Sequence, residues 1–237
     1  MVEQVWAVIP AGGRGQRFGA ARAKQYLPLL DRPVLAHAME PFLKEERISG
    51  LQLVLPGADL ETGAWHTVVG EVHGRFLPPV TGGAERVDSV RLGLEALLAR
   101  GAVPQDWVLV HDAARPCLRR EDLHRLLDAL PGCPQGALLA VPLADTLKRG
   151  EQDRVAGTVD RAGLWRALTP QAFPIGSLLE AIAEAQARGL AVTDEASALE
   201  QRGWRPRLVL GHSDNIKVTF PEDLDLAAAI LAARKGR

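Results

Sequence analysis

The residues best equipped for chemistry sit in one stretch, Pro10-Ala11-Gly12-Gly13-Arg14-Gly15-Gln16-Arg17-Phe18-Gly19, which runs on to Lys24-Gln25. Ahead of it, Val5 to Ile9 is an apolar run of strand length, so the loop opens at a strand end. Its glycines let the backbone approach a ligand closely and take positive φ without penalty. Between Gln4 and Leu30 the charged residues are Arg14, Arg17, Arg22 and Lys24, with no acid among them. Exposed amide N–H groups combined with Arg and Lys make a cradle for polyphosphate. The loop reads as a binder of nucleotide phosphates.

Known loop schemes narrow that reading. A P-loop requires Gly-Lys-Ser/Thr after the glycines, and none follows. The dinucleotide fingerprint, counted from Gly13 and Gly15, meets Phe18 where its third glycine belongs. Neither scheme uses two basic side chains inside the loop. What remains is a nucleotidyltransferase loop, or a plain glycine turn whose arginines are solvated.

Two further stretches carry polar groups at strand ends. Thr81-Gly82-Gly83-Ala84-Glu85-Arg86-Val87-Asp88-Ser89 places two glycines before a helix marked by Val87, Val90, Leu94 and Leu97. Ser89 lies in its first turn, where a hydroxyl faces a ligand or caps its own helix. Trp107 to Val110 reads as a strand running into His111-Asp112-Ala113-Ala114-Arg115-Pro116. Asp112 then sits at the carboxyl edge of the sheet, a position suited to metal or ribose, although an Asp there also serves as a loop cap. His111 has no partner ligand at metal spacing and reads as a local hydrogen-bonding residue. Near the end, Ser213-Asp214-Asn215-Ile216-Lys217-Val218 places an Asp and a Lys around a predicted short strand.

The elements that position these residues alternate. Helices are predicted over about 33–44, 60–70, 87–100, 123–130, 175–188 and 193–201, with Thr193 as N-cap of the last of these. Strands are predicted at 51–55, 75–80, 107–110, 136–141 and 207–210. Pro78 and Pro79 weaken the strand at 75–80. Thr219-x-x-Glu222 reads as a capping box with Pro221 in the first turn of a final helix. From about 142 to 168 the chain turns polar, with a glycine-bearing turn between alternating flanks, the pattern of a β-hairpin leaving the body. An arm with so little core of its own is a candidate dimerisation element. The expected fold is α/β: a single domain over 1–237, a doubly wound, mostly parallel sheet with a projecting β-arm.

Composition excludes several classes. The 28 basic and 29 acidic residues among 237 leave no basic excess for nucleic acid or anionic membrane. Cys117 and Cys133 lack metal or redox spacing and read as reduced core residues. No apolar run is long enough to span a bilayer, and a strand starting near Met1 leaves no room for a leader. A cytoplasmic protein is expected.

Taken together, Val110-His111-Asp112-Ala113-Ala114-Arg115-Pro116, Thr158-Val159-Asp160-Arg161, Leu168-Thr169-Pro170-Gln171, Thr193-Asp194-Glu195-Ala196-Ser197 and Asp214-Asn215-Ile216-Lys217-Val218-Thr219 closely resemble the 2-C-methyl-D-erythritol 4-phosphate cytidylyltransferase family. The resemblance covers essentially the whole chain. It implies a Rossmann-like nucleotidyltransferase fold that uses CTP, methylerythritol phosphate and Mg²⁺. It further implies that Ala11, Gly12, Gly13 and Gly15, with Arg17 and Lys24, hold the triphosphate. Gly82, Gly83 and Ser89 would read the cytosine, Asp112 and Ala113 the ribose and metal region, with Asp214 a second candidate metal ligand. Lys217 would neutralise the reacting phosphate, making Arg17, Lys24 and Lys217 the catalytic set. Arg115, Thr146, Arg161, Thr169 and Thr193 would hold the acceptor, the arm crossing to a second subunit of a homodimer.

Three positions depart from the family pattern. Gly12 stands where Ala is frequent, Ala23 where proline precedes the Lys-Gln pair, and Ala84 where an acid follows Gly82-Gly83. The implied reaction needs no general base, because a phosphomonoester with second pKa of about 6 is already ionised near neutral pH. A pentitol phosphate cytidylyltransferase is the nearest alternative. An NAD(P)-binding oxidoreductase is disfavoured by Phe18, and a nucleotide sensor without turnover would make Lys217 dispensable.

Overall fold

The structure is a computed structural model that describes residues 3–12, 23–63, 65–66 and 74–235. A seven-stranded sheet forms its centre, in the order β11-β7-β10-β6-β1-β4-β5. Its strands are β1 (Val5–Pro10), β4 (Ile48–Leu55), β5 (Phe76–Thr81), β6 (Trp107–Val110), β7 (Ala137–Pro142), β10 (Trp165–Pro174) and β11 (Arg207–Leu210). Two residues each, β2 (Pro28–Leu29) and β3 (Arg32–Pro33) form a small ribbon before the first helix. All ladders of the main sheet are parallel except those of β10, which runs antiparallel to both β6 and β7. The expected mostly parallel α/β sheet is present.

Strand alternation sends side chains to two separate cores. From β1, Ala7 and Ile9 join Leu53, Leu109 and Leu139 under α1 (Val34–Leu43) and α4 (Arg120–Ala129). Trp6 and Val8 point the other way, with Val54, Val108, Val110 and Phe173, under α3 (Arg86–Ala99) and α5 (Ile175–Ala187). Burial of each Leu, Ile or Phe contributes about 1.5–3 kcal/mol, so helices on both faces are strongly anchored. The short helix α2 (Gly57–Thr62) follows β4, and α6 (Glu195–Glu200) packs beside α5. Gly93 brings α3 close: a Cβ there would lie 2.8 Å from Val8 Cγ1 and 2.9 Å from Val54 Cγ2. The last helix, α7 (Glu222–Lys235), closes a third cluster of Leu29, Val34, Cys117, Val218 and Ala227.

Four of the predicted features take a different form. Residues 168–171, expected only to return the chain to the body, belong to the central strand β10. Their proline and polar residues hide the period-2 signal, and the β10–β7 register shifts between Ala167 and Gln171. No strand forms at 214–218; that segment is a loop held by Val218 N–H donating to the Ala114 carbonyl. Asp194, and not Thr193, caps α6, with Ser197 completing a reciprocal box. At α7, Asp223 and not Glu222 reaches back: its carboxylate accepts the Thr219 and Phe220 N–H groups, while the Thr219 hydroxyl donates to the Lys217 carbonyl and does not complete a box. Pro78 and Pro79 are accommodated because β5 is an edge strand, as prolines require.

The polar segment does form a hairpin. β8 (Leu147–Glu151) and β9 (Arg154–Val159) pair antiparallel in a two-stranded sheet of their own, with most residues exposed. Its turn is made by Gln152 at φ 54, in the left-handed region, and not by Gly150.

Candidate active site

Parallel strands place their following loops at one edge of the sheet, and antiparallel β10 delivers Thr169 to the same edge. β4 ends by organising two loops at once. Its Val54 carbonyl accepts the Ala11 N–H and its Leu55 carbonyl accepts the Gly82 N–H, at 2.8 and 2.7 Å. Gln25, buried, donates to the Ala11 carbonyl at 2.7 Å and so sets the start of the first loop. A cleft results, lined by Pro10, Ala11, Gly12, Gln25, Arg86, Ser89, Asp112, Ala113, Ala114 and Lys217.

One wall is a glycine turn built around Ser89. The hydroxyl donates to the Glu85 carbonyl and accepts the Gly83 N–H, each at 3.2 Å. A Cβ on Gly82 would lie 2.6 Å from Ser89 Oγ, and one on Gly83 would lie 2.2 Å from Asp88 Cβ. The turn therefore admits only glycine at both positions. Gly12 faces the same hydroxyl, where a Cβ would lie at 3.2 Å. An alanine there would force Ser89 to give by a few tenths of an ångström. Ala84 is exposed and does not line the cleft, while partly buried Ala23 packs against the core.

Asp112 is the electrostatic centre. Lys217 Nζ reaches its Oδ2 at 2.9 Å, Arg86 Nε its Oδ1 at 3.0 Å, and Arg115 Nε its Oδ2 at 3.4 Å. Burial pushes the carboxyl up, but the charges of Arg86, Lys217 and Arg115 outweigh it and hold the group well below the usual carboxylate range. Arg86 also grips Glu195 with both Nη atoms. Burial would lower its pKa, and the charges of Glu195 and Asp112 raise it instead. Stripping Arg86 away would leave Glu195 buried and unpaired, at a cost of about 3–5 kcal/mol.

A hydrogen-bond relay behind Asp112 fixes its backbone. His111, fully buried, has Nε2 at 3.1 Å from the Arg115 carbonyl, which only accepts, so Nε2 carries the proton. Burial lowers the imidazole to about 4, so the ring is neutral and Nδ1 accepts. The Thr169 hydroxyl donates to that Nδ1 at 2.9 Å while its oxygen accepts the Asp112 N–H at 3.1 Å. Asn215 donates to the Thr169 carbonyl, and Arg115 donates to the Asn215 carbonyl. The loops after β6, within β10 and before α7 are thus one unit.

Among the residues singled out from sequence, Ala11, Gly12, Ser89, Asp112, Ala113 and Lys217 line the cleft, with Gly82 and Gly83 forming the Ser89 turn and Arg115 and Thr169 directly behind Asp112. Gly13, Gly15, Arg17 and the side chain of Lys24 lie outside the described residues. Thr146, Arg161 and Thr193 are exposed and do not line the cleft; Arg161 donates to the Ala144 carbonyl of its own arm. Asp214 is clasped by Arg119 at 2.5 Å and Arg234 at 2.9 Å, so its carboxylate is committed to joining α4 and α7. Among the described residues, no three His, Cys, Asp or Glu side chains come together as a metal cage.

Sequence reading quoted Arg86, Glu195, Gln25 and Gln171 within its motifs but gave none of them a role in the site. Arg86 directly follows a glycine turn, a usable signal. Its pairing with Glu195, 109 residues away, has no local signal.

The family model for 2-C-methyl-D-erythritol 4-phosphate cytidylyltransferase matches residues 5–233. The protein of that name from Acidithiobacillus ferrooxidans is 70% identical over 233 residues, covering 98% of both chains. The one from Pseudomonas aeruginosa is 48% identical over 227 residues, covering 92% of both. The crystal structure of the Francisella tularensis enzyme superposes with a TM-score of 0.82 at 29% identity, covering 96% of this chain and all of that one. Matched by that family model over residues 5–233 and 70% identical to a relative over 98% of its length, this chain belongs to the 2-C-methyl-D-erythritol 4-phosphate cytidylyltransferase family.

Proposed function

We propose that the protein transfers the cytidylyl group of CTP to 2-C-methyl-D-erythritol 4-phosphate, giving 4-diphosphocytidyl-2-C-methyl-D-erythritol and pyrophosphate, a step of non-mevalonate isoprenoid precursor synthesis. The observation that carries this reading is the Asp112-centred cluster of Lys217, Arg86 and Arg115 beside two glycine loops, in a chain of this family.

The acceptor phosphate attacks the α-phosphate of CTP in line, and pyrophosphate leaves. The nucleophile is already ionised, so the protein supplies position and positive charge, not a base. Lys217 provides that charge at the reacting phosphate, its ammonium held in place by Asp112, and Arg17 and Lys24 provide it along the triphosphate. His111 is no proton acceptor here, since both ring nitrogens are engaged. Ser89 shapes the Gly82-Gly83 turn whose backbone reads the base.

Among the described residues Asp112 is the carboxylate lining the cleft, and Asp214 is spent on two arginines. Asp112 is itself engaged by Lys217, Arg86 and Arg115, so the donor set fits a Mg²⁺ carried mainly on nucleotide phosphates, with Asp112 facing it from the cleft wall. Bound there, Mg²⁺ would supply further charge neutralisation at the phosphates.

The β8–β9 arm has too little core to stand alone and is read as a dimer element. It carries Thr146 and Arg161 toward a second subunit, where they and Thr193 would meet the acceptor. Both cysteines are free and buried, which suits a reducing cytoplasm. Among the described residues no helix is long and apolar enough to cross a membrane.

The deciding experiment is Mg²⁺-dependent pyrophosphate release from CTP, with methylerythritol phosphate or pentitol phosphates as acceptor, and with chelator as control. Release with CTP and methylerythritol phosphate alone is the expected result. Release with a pentitol phosphate would move the acceptor assignment, and silence with every pair would overturn the reading.

A further inference from the structure

Glu195 is 2% exposed, and one side chain takes both of its carboxylate oxygens. Arg86 Nη1 donates to Oε1 at 2.6 Å and Nη2 to Oε2 at 3.2 Å. Through Nε the same guanidinium reaches Asp112 Oδ1 at 3.0 Å. Arg86 also lines the cleft, with its side chain about a third exposed. One planar fork thus ties two carboxylates that come from different parts of the fold.

Those carboxylates belong to different halves of the site. Asp112 and the Gly82–Ser89 turn form the nucleotide half. Glu195 begins α6, directly after Thr193 and Asp194, in the half assigned to the acceptor. The start of α6 is itself pinned to β10. Gln171 Nε2 donates to Asp194 Oδ2, and Gln171 Oε1 accepts the Ala196 N–H, each at 2.8 Å. Gln171 lies two residues beyond Thr169, which holds the Asp112 backbone. The circuit Asp112–Arg86–Glu195–α6–Gln171–Thr169–Asp112 is therefore closed.

We infer that Arg86 and Glu195 are positioning residues that set the separation between nucleotide and acceptor halves, so that the acceptor phosphate meets the α-phosphate in line. This rests on the proposed cytidylyl transfer and names two residues that it does not otherwise use as a pair. Neither shifts a proton; each acts by where it holds the other. Lysine at 86 keeps the charge but offers a point donor that cannot serve two carboxylates at fork geometry. Aspartate at 195 keeps the charge but is one methylene shorter, drawing the carboxylate back from the fork. A displacement of about 1 Å in such a site costs on the order of 10²-fold in rate.

The test compares the parent with Arg86→Lys, Glu195→Asp and the double variant. It measures kcat, acceptor KM, and the Kd of CTP by calorimetry with no acceptor present. The expected result is kcat lowered at least about 10-fold in each single variant while the CTP Kd stays within about 3-fold. The double variant should be no slower than the slower single, because the two residues act as one unit. Variants with lower melting temperatures but parental kcat and KM would overturn the inference and leave a purely structural pair. Loss of CTP affinity in step with kcat would also overturn it, making Arg86 a nucleotide ligand. Should Glu195→Asp fail to fold, Arg86→Lys with the calorimetry decides alone. An inert parent would sink the functional reading and this inference together, whereas an active parent with equally active variants sinks the inference only.

Discussion

Lys217 Nζ stands 2.9 Å from Asp112 Oδ2, joining the loop before the last helix to the segment that leaves β6. The pairing gives the ammonium a fixed address at the cleft while its side chain remains 43% exposed. It also accounts for an acid in a cleft that we read as binding polyphosphate. Asp112 is surrounded by three cations, so the cluster stays positive on balance.

Lys217→Ala removes the ammonium and leaves Asp112 with Arg86 and Arg115. Turnover should fall by roughly 10²–10³-fold, the usual loss for one transition-state donor. Lys24→Ala should cost a similar factor. Steady-state kinetics with both substrates saturating checks this, and near-parental rates would remove either residue from the catalytic set.

His111 makes a prediction about pH. Its folded pKa is lowered by burial from 6.5 to about 4, so the unfolded chain binds the extra proton first as pH falls. Stability from this group is fully present above about 6.5 and is lost progressively down to about 4, a loss of roughly 3 kcal/mol. His37, also lowered by burial, contributes in the same direction. Asp112 does not share the window, because its depressed pKa matters only below the usual carboxylate range. Urea denaturation of the parent and of His111→Gln across pH 4–7.5 should show a shallower dependence in the variant. Parallel curves would contradict the buried neutral ring.

The arm yields a complementation test. Arg161→Ala inactivates the arm of one protomer, and Lys217→Ala inactivates the cleft of the other. If arms cross between subunits, mixing the two variants restores activity through one composite site built from intact parts. Purified heterodimers with no recovery would place Arg161 in the cleft of its own chain, or outside the site.

The sequence by itself was enough for the α/β alternation and the glycine turns at strand ends, and it singled out Asp112 and Lys217, which the structure places side by side in the cleft. Such signals are local: apolar runs, turn residues at strand ends, and a loop with cations and no acid. The role of His111 as a hydrogen-bonding residue was legible for the same reason, since it had no ligand partner nearby. The sequence could not show that Thr169 and Gln171 belong to a central antiparallel strand, because proline and polar residues there break the alternation that marks a strand. Nor could it show that Asp214 is taken by Arg119 and Arg234, or that Arg86 bridges Asp112 and Glu195. Ion pairs across such sequence separations depend on the sheet order and on which helix ends meet at its carboxyl edge. Only the assembled fold brings those ends within 3 Å, and at that distance, out of water, charge pairing decides what each side chain can do.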